Sequence, residues 1–187
     1  PANTLTGGYE VANSCRFDYG STTYMHKTPG TATNRKIFTI SLWFKRSKLY
    51  GVGNQTKIMM SAGDNASTNT DELYWRIDTL DFNGYESSTT EFQLRTNAVF
   101  RDMSAWYNIV IAYDSTQGTA SNRIKMYVNG TQITSFAVET YPDEDHEPLF
   151  NSNIAHYISR AITSSIYNDG YMAEVVFIDG TALAPTS

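Results

Sequence analysis

The sequence predicts an all-β protein, a two-sheet antiparallel β-sandwich, and three observations carry that prediction. No window of a dozen residues keeps a helical apolar stripe. Tyrosine (13) and phenylalanine (9) are abundant, while charged residues make up only 18% of the chain, a profile that suits strands and turns. The third observation is the stretch 106–136, WYNIVIAYDSTQGTASNRIKMYVNGTQITSF. In an extended chain, Trp106, Asn108, Val110 and Ala112 share one face, and Tyr107, Ile109, Ile111 and Tyr113 the other. Both faces are largely apolar, as expected of a strand in the middle of stacked layers. Residues 123–128 alternate again and end at Asn129-Gly130, a dipeptide that tolerates two positive φ angles and closes a tight hairpin. Residues 131–136 are expected to return as the third strand of a meander.

The remaining elements follow in order. Residues 1–13 are polar and read as a lead-in along the outside. Cys15-Arg16-Phe17 begins a short strand, Gly20-Ser21 turns it, and Tyr24-Met25 is the returning piece. HKTPGTATNRK is a loop built on Pro29-Gly30. Residues 37–44, IFTISLWF, form the strongest single strand, with Phe38, Ile40, Leu42 and Phe44 on one face. A basic loop, KRSKLYGVGNQ, leads to an apolar strand over 57–62, then to the acidic loop GDNASTNTDE. Residues 73–77 alternate Leu73, Trp75, Ile77 against Tyr74 and Arg76. DTLDFNGYESSTT is expected to turn at Asn83-Gly84, and 91–95 form a strand with Phe92 and Leu94 on one face. FRDMSA reads as one helical turn or a tight bend. ETYPDEDHEPLFNSN, with Pro142 and Pro148, reads as a long surface loop. Strands resume over 154–162 and 171–178, Asp179-Gly180 turns the chain, and TALAPTS is expected to trail away. Ten or eleven strands at this spacing, with no repeat and no linker, make one domain over residues 1–187.

Length and charge set further bounds. A chain of 187 residues supports one well-buried core. The balance 14 − 19 = −5 offers no electrostatic footprint for a phosphate backbone, so nucleic acid is not expected as a partner. The longest apolar run is far short of a membrane span, and no signal-peptide pattern opens the chain. The chain starts at Pro1 without an initiator Met, so the expectation is a piece processed or excised from a longer one. Cys15 is the only cysteine, which excludes an internal disulfide and argues against structural zinc. The sequons at Asn54, Asn65 and Asn129 are near chance in a chain so rich in Asn and Thr.

The order FTISLWFK, WYNIVIAYDS, IKMYVNG, DGYMAEVVFIDG resembles the laminin G-like, or concanavalin A-like, jelly roll of the lectin/glucanase sandwiches. The likeness runs through the chain from CRFDYGSTTYM, its first strand pair. In detail it is most similar to versions found in virion proteins of tailed phages, especially marine ones. There a WYNIV-like strand, a TASNRIKMYVNG-like hairpin and a DGYMAEVVFIDG-like closing strand recur together. The resemblance implies a non-enzymatic virion domain, in a tail fibre, tail spike or capsid fibre, that contacts host-surface polysaccharide. It also implies a homotrimer, contacts with other virion subunits, and attachment by many weak sites acting together. Two other readings stay open, since this fold hosts many activities: a decoration domain meeting only virion subunits, and a glycan hydrolase.

A jelly-roll glycosidase would carry two or three carboxylates alternating along one strand, about 5–5.5 Å apart in the retaining case. The alternating acids here are Asp143, Asp145 and Glu147, flanked by prolines rather than strand formers. Asp78 and Asp81 are three apart, hence on opposite faces of a continuing strand. No catalytic residues are therefore expected. Oxygen ligands on a flexible loop suit calcium; besides DEDHE, the candidate is Asp64 and Asp71, with Asn65 and Glu72. No other cofactor is expected. His26, His146 and His156 lie near no nucleophile motif. His156 reads as a strand residue, whereas His146 reads as loop-exposed. Sugar binding needs an aromatic platform with hydrogen-bonding amides and carboxylates at a loop edge. Tyr141, Asp143, Asp145 and His146 supply those types and are the expected glycan-binding residues; Tyr50, Asn54 and Tyr85 offer a second set.

Overall fold

The computed structural model describes residues 13–49, 56–64, 68–162 and 166–185. Its strands are β1 (Cys15–Phe17), β2 (Met25–Lys27), β3 (Ile37–Arg46), β4 (Thr56–Gly63), β5 (Thr70–Arg76), β6 (Thr79–Glu86) and β7 (Thr89–Thr96). There follow β8 (Tyr107–Asp114), β9 (Ile124–Val128), β10 (Thr131–Gln132), β11 (Phe136–Thr140), β12 (Ala155–Ile158) and β13 (Gly170–Asp179). They form two antiparallel sheets, ordered β1-β13-β3-β8-β9-β10 and β11-β7-β6-β5-β4-β12-β2. This is the expected two-layer sandwich.

Alternation places the core. Phe38, Ile40, Leu42 and Phe44 of β3, with Ile109, Ile111 and Tyr113 of β8, are fully buried. They meet Leu73 and Trp75 of β5, Leu80 and Phe82 of β6, and Phe92 and Leu94 of β7. Phe38 stacks on Tyr113 at 4.7 Å, and Phe82 lies 5.0 Å from Phe92. Each such side chain contributes about 1.5–3 kcal/mol on burial. Val110, Ala112 and Tyr127, on the opposite face of the first sheet, are buried as well, against Ala182. The chain does not trail away after Gly180. It folds back over this face, where Thr39 Oγ1 donates to the Thr181 carbonyl (2.7 Å) and accepts from the Leu183 amide (2.8 Å). That cover is why both faces of β8 are apolar.

Asn129 (φ 51°) and Gly130 (φ 78°) close the β9–β10 hairpin as expected. The third strand, however, lasts two residues before the chain crosses to the other sheet as β11. Ile133 and Phe136 both pack on the core. Three residues apart, they would face opposite sides of one straight strand, so the chain must bend. The expected first strand pair is also divided: β1 pairs with β13 and β2 with β12, in different sheets. Asn83-Gly84 is no turn. Both lie inside β6, and the turns fall at Ile77 (φ 56°) and at Ser87-Ser88 (φ 50° and 65°). A Cβ at position 84 would strike the Phe92 ring and sit 2.7 Å from Asp71 Oδ1, so the glycine serves close approach. Asp71 and Glu72 belong to β5 rather than to an acidic loop. FRDMSA is a bend, as one of its two readings had it.

A buried polar tie joins the sheets at Arg46, and a second buried carboxylate anchors the β11–β12 connection to β5. Arg46, 2% exposed, donates from Nη1 to Asp78 (3.2 Å) and the Phe100 carbonyl (2.7 Å), and from Nη2 to the Ile77 carbonyl (2.7 Å). Elsewhere, Asp71 accepts the Phe150 amide (2.8 Å).

Candidate functional site

The 141–150 segment, expected as a free surface loop, is pinned along its length. Arg123 Nη1 donates to the Pro142 carbonyl (2.8 Å) and Arg35 Nη2 to that of Pro148 (2.7 Å). Tyr141 packs its ring on the core and donates to Glu139 (2.9 Å). Asp143 and Asp145 are exposed; Asp145 pairs with Lys36 (3.1 Å), and Glu147 with Arg35 (2.9 Å). His146 turns inward instead. Its Nδ1 lies 2.8 Å from the Tyr113 hydroxyl, its ring stands edge-on to Phe92, and burial lowers its pKa. The structure thus groups Asp143 and Asp145 at the surface and directs His146 away from them.

Asp64 and Asp71 are not brought together as ligands. Asp64 is exposed and accepts from Asn69 (2.7 Å). Asp71 is closed inside the sandwich, where burial pushes its carboxyl up to about 8 against backbone hydrogen bonds that pull it down. Glu72 points to the opposite face of β5. Among the described residues no three His, Cys, Asp or Glu gather at metal-binding distance. Tyr50, Asn54 and Asn65 lie outside the described residues, and Tyr85 is half-buried on β6. His156 is a strand residue as expected: its Nε2 accepts the Asn151 amide (3.2 Å), so Nδ1 carries the proton toward the Ile154 carbonyl (2.9 Å). Burial lowers its pKa, in keeping with a neutral ring.

The richest concentration of binding chemistry is on the outer face of the seven-stranded sheet. Strand register lines up Thr140, Gln93, Asn83, Glu72, Ser61, Tyr157 and His26 in one row across all seven strands. Beside it runs Val138, Arg95, Asp81, Tyr74 and Ile58. Asp81 has no exposed surface; it accepts from Arg95 Nε (2.6 Å) and from Gln93 Nε2 (3.1 and 3.2 Å). Burial, helped by the charge of Asp81, pushes Glu72 up to about 7.

After β12 the chain turns at Ser159 (φ 71°) and curls over this face. Ser61 Oγ donates to the Arg160 carbonyl (2.6 Å), and Ala161 and Ile166 pack on Ile58 and Tyr74. At the β12–β2 edge, aromatic rings gather. Tyr24 lies 6.0 Å from His26, 5.8 Å from Tyr157 and 6.3 Å from Tyr167. His26 stacks on Tyr157 at 5.7 Å, and Tyr19 meets Tyr167 at 6.4 Å. The Arg160 guanidinium sits 4.9 Å from both the Tyr24 and Tyr157 rings, and the Lys57 ammonium 4.0 Å from Tyr19. Tyr24 is 41% and Tyr19 38% exposed. Below this platform the sandwich opens into a cleft of about 440 Å³ between Met60, Ile158 and Phe177.

A grouped, exposed set of amphipathic rings is unusual on a soluble surface and suits a ligand with an apolar face and polar edges. Sequence reasoning missed it because its members come from residues 19–26 and 157–167. The one local signal was Tyr24 and His26, two apart and hence on one face of a strand.

No curated protein matches this chain. Among solved structures, the binding domain of Paraclostridial Mosquitocidal Protein 1 superposes with a TM-score of 0.64 at 11% identity, over 91% of this chain and 40% of that one. Domains LG4-5 of the mouse laminin α1 chain superpose at 0.61 and 13% identity, over 89% and 41%. A CBM40 of the Ruminococcus gnavus IT-sialidase, bound to α2,3-sialyllactose, superposes at 0.54 and 12% identity, over 83% and 93%. The chain spans about two fifths of the toxin and laminin chains. At these identities the likeness establishes the fold. The family model for the Concanavalin A-like lectin/glucanases superfamily matches residues 19–186, and the chain belongs to that superfamily.

Proposed function

We propose that this is a non-catalytic carbohydrate-binding domain whose site is the aromatic platform at the β12–β2 edge. The observation that carries the reading is the ring group of exposed Tyr24 and His26 with half-buried Tyr157, and Arg160 laid against it. Sugar rings present C–H faces to aromatic surfaces and hydroxyls to polar neighbours, and the platform offers both kinds of contact. A neighbour of the same fold is bound to sialyllactose, and another is the binding domain of a toxin. The finer setting is a phage tail fibre, tail spike or capsid fibre, where a homotrimer attaches to host-surface polysaccharide and meets other virion subunits. Its support is the resemblance of the WYNIVIAYDS, IKMYVNG and DGYMAEVVFIDG segments to those of phage virion proteins. The loop residues Tyr141, Asp143, Asp145 and His146 stand as the competing glycan site, with Asp143 and Asp145 the exposed pair.

The hydrolase reading has one observation in its favour: Glu72 and Asp81 are strand-borne carboxylates on one face. Asp81, however, is closed from solvent and occupied by Arg95 and Gln93, so it cannot reach an anomeric carbon.

A glycan array tests the proposal. The wild type binds; the Tyr24→Ala/Tyr157→Ala variant loses at least tenfold in affinity, while Tyr141→Ala/Asp143→Ala keeps it. The reverse pattern would move the site to the loop. Silence on every glycan, together with a tight trimer and a large subunit interface, would favour a decoration domain. Release of reducing sugar would favour the hydrolase.

A further inference from the structure

We infer that the saccharide taken by this platform is acidic, with its carboxylate or sulfate received by Arg160; the inference rests on the carbohydrate-binding reading above. Arg160 stands at the rim of the platform, its guanidinium held against the Tyr24 and Tyr157 rings at 4.9 Å from each. Contact with both rings restrains the fork. Arginine so held presents parallel N–H donors that match two oxygens of one anionic group. None of the seven ion pairs among the described residues involves Arg160, although the chain carries five more acidic than basic side chains. Its Nε is buried and has no hydrogen-bond partner. The outer N–H groups of the fork, rather than this enclosed Nε, are the donors that a ligand oxygen would meet.

The nearest other cations do not share the platform's face: Lys27 is exposed on the opposite side of β2 from His26, and Lys57 is buried over the Tyr19 ring. The carboxylates near this region are Glu72, in the same row as Ser61 and Tyr157, Asp18, which is bonded to Ser21, Asp169, which lies 3.8 Å from Lys48, and Asp179, which accepts from Thr33, Asn34 and Asn151. A net-acidic protein repels polyanions in general, so retention of one requires a local cationic site.

Affinity electrophoresis of the 187-residue chain in gels containing polygalacturonate, dextran sulfate or neutral dextran decides the matter. Retardation by at least one of the acidic polymers and not by dextran is expected; which polymer retards more tells carboxylate from sulfate. Arg160→Gln should weaken that retention at least tenfold. Arg160→Lys, which keeps the charge but loses the planar fork, should fall between the two. Unchanged melting temperatures verify folding. Equal retention by dextran, or an Arg160→Gln variant that binds as well as wild type, would overturn the inference while leaving carbohydrate binding intact. Stronger binding of a single-stranded oligonucleotide would overturn it in favour of a nucleic-acid ligand. No retardation in any gel would overturn the inference, and the glycan array then decides separately whether the carbohydrate-binding reading stands.

Discussion

Gly84 and Asp71 meet at one point inside the sandwich, and each accounts for the other. The Phe92 ring and the Asp71 carboxyl press against the Gly84 backbone where any Cβ would stand. Gly84→Ala should therefore destabilise the fold by about 1–3 kcal/mol, the usual penalty of overpacking, read as a lower midpoint in urea. Asp71 has a different signature. Burial holds its folded pKa at about 8, whereas an unfolded aspartate ionises near 4. Between those values the folded state keeps a proton that the unfolded state has lost, so stability falls as pH rises through that window. Glu72, pushed up to about 7, acts in the same direction over a narrower range. Asp71→Asn keeps an acceptor for the Phe150 amide and cannot ionise. Melting temperatures at pH 5 and pH 9 should differ less in that variant than in the wild type; an equal difference would show that Asp71 is already charged.

Strands with a strict two-residue rhythm were legible in the sequence, and elements fixed by remote packing were not. β3 and β8 announced themselves because every second residue is large and apolar, and no other element type buries that pattern. Asn83-Gly84 misled because the dipeptide that permits a turn also permits close backbone approach, and only the position of Phe92 decides between them. The β1–β2 and β10–β11 connections misled for a related reason: a turn signal says that the chain changes direction, not which sheet receives it. Arg46 shows the same limit. It reads as the start of a basic loop, yet it ends β3 with its guanidinium buried against Asp78 and two carbonyls. Asp78→Ala should remove a carboxylate partner from that buried charge and destabilise by about 3–5 kcal/mol. A loss below about 1 kcal/mol in denaturant unfolding would mean that Arg46 does not depend on the Asp78 carboxylate.

At the scale of the whole molecule, the sandwich turns residues far apart in sequence into continuous rows. The outer row from Thr140 to His26 draws on seven strands and exists only through register, which no single segment encodes. This is why the predicted site fell on the loop around Tyr141, where suitable residue types are neighbours in sequence, while the platform of Tyr24, His26, Tyr157 and Arg160 went unseen. The fold leaves Tyr24 and His26 exposed and covers Thr39, Val110, Ala112 and Tyr127 on the other sheet's outer face with residues 181–183, so the two faces are not equivalent for recognition. The most direct test is an NMR titration of the isotopically labelled chain with whichever saccharide binds most tightly on the array. Binding at the platform predicts shift changes concentrated at Tyr24, His26, Tyr157 and Arg160, with 141–147 unmoved. Changes confined to 141–147, or no change at a saturating concentration, would contradict it.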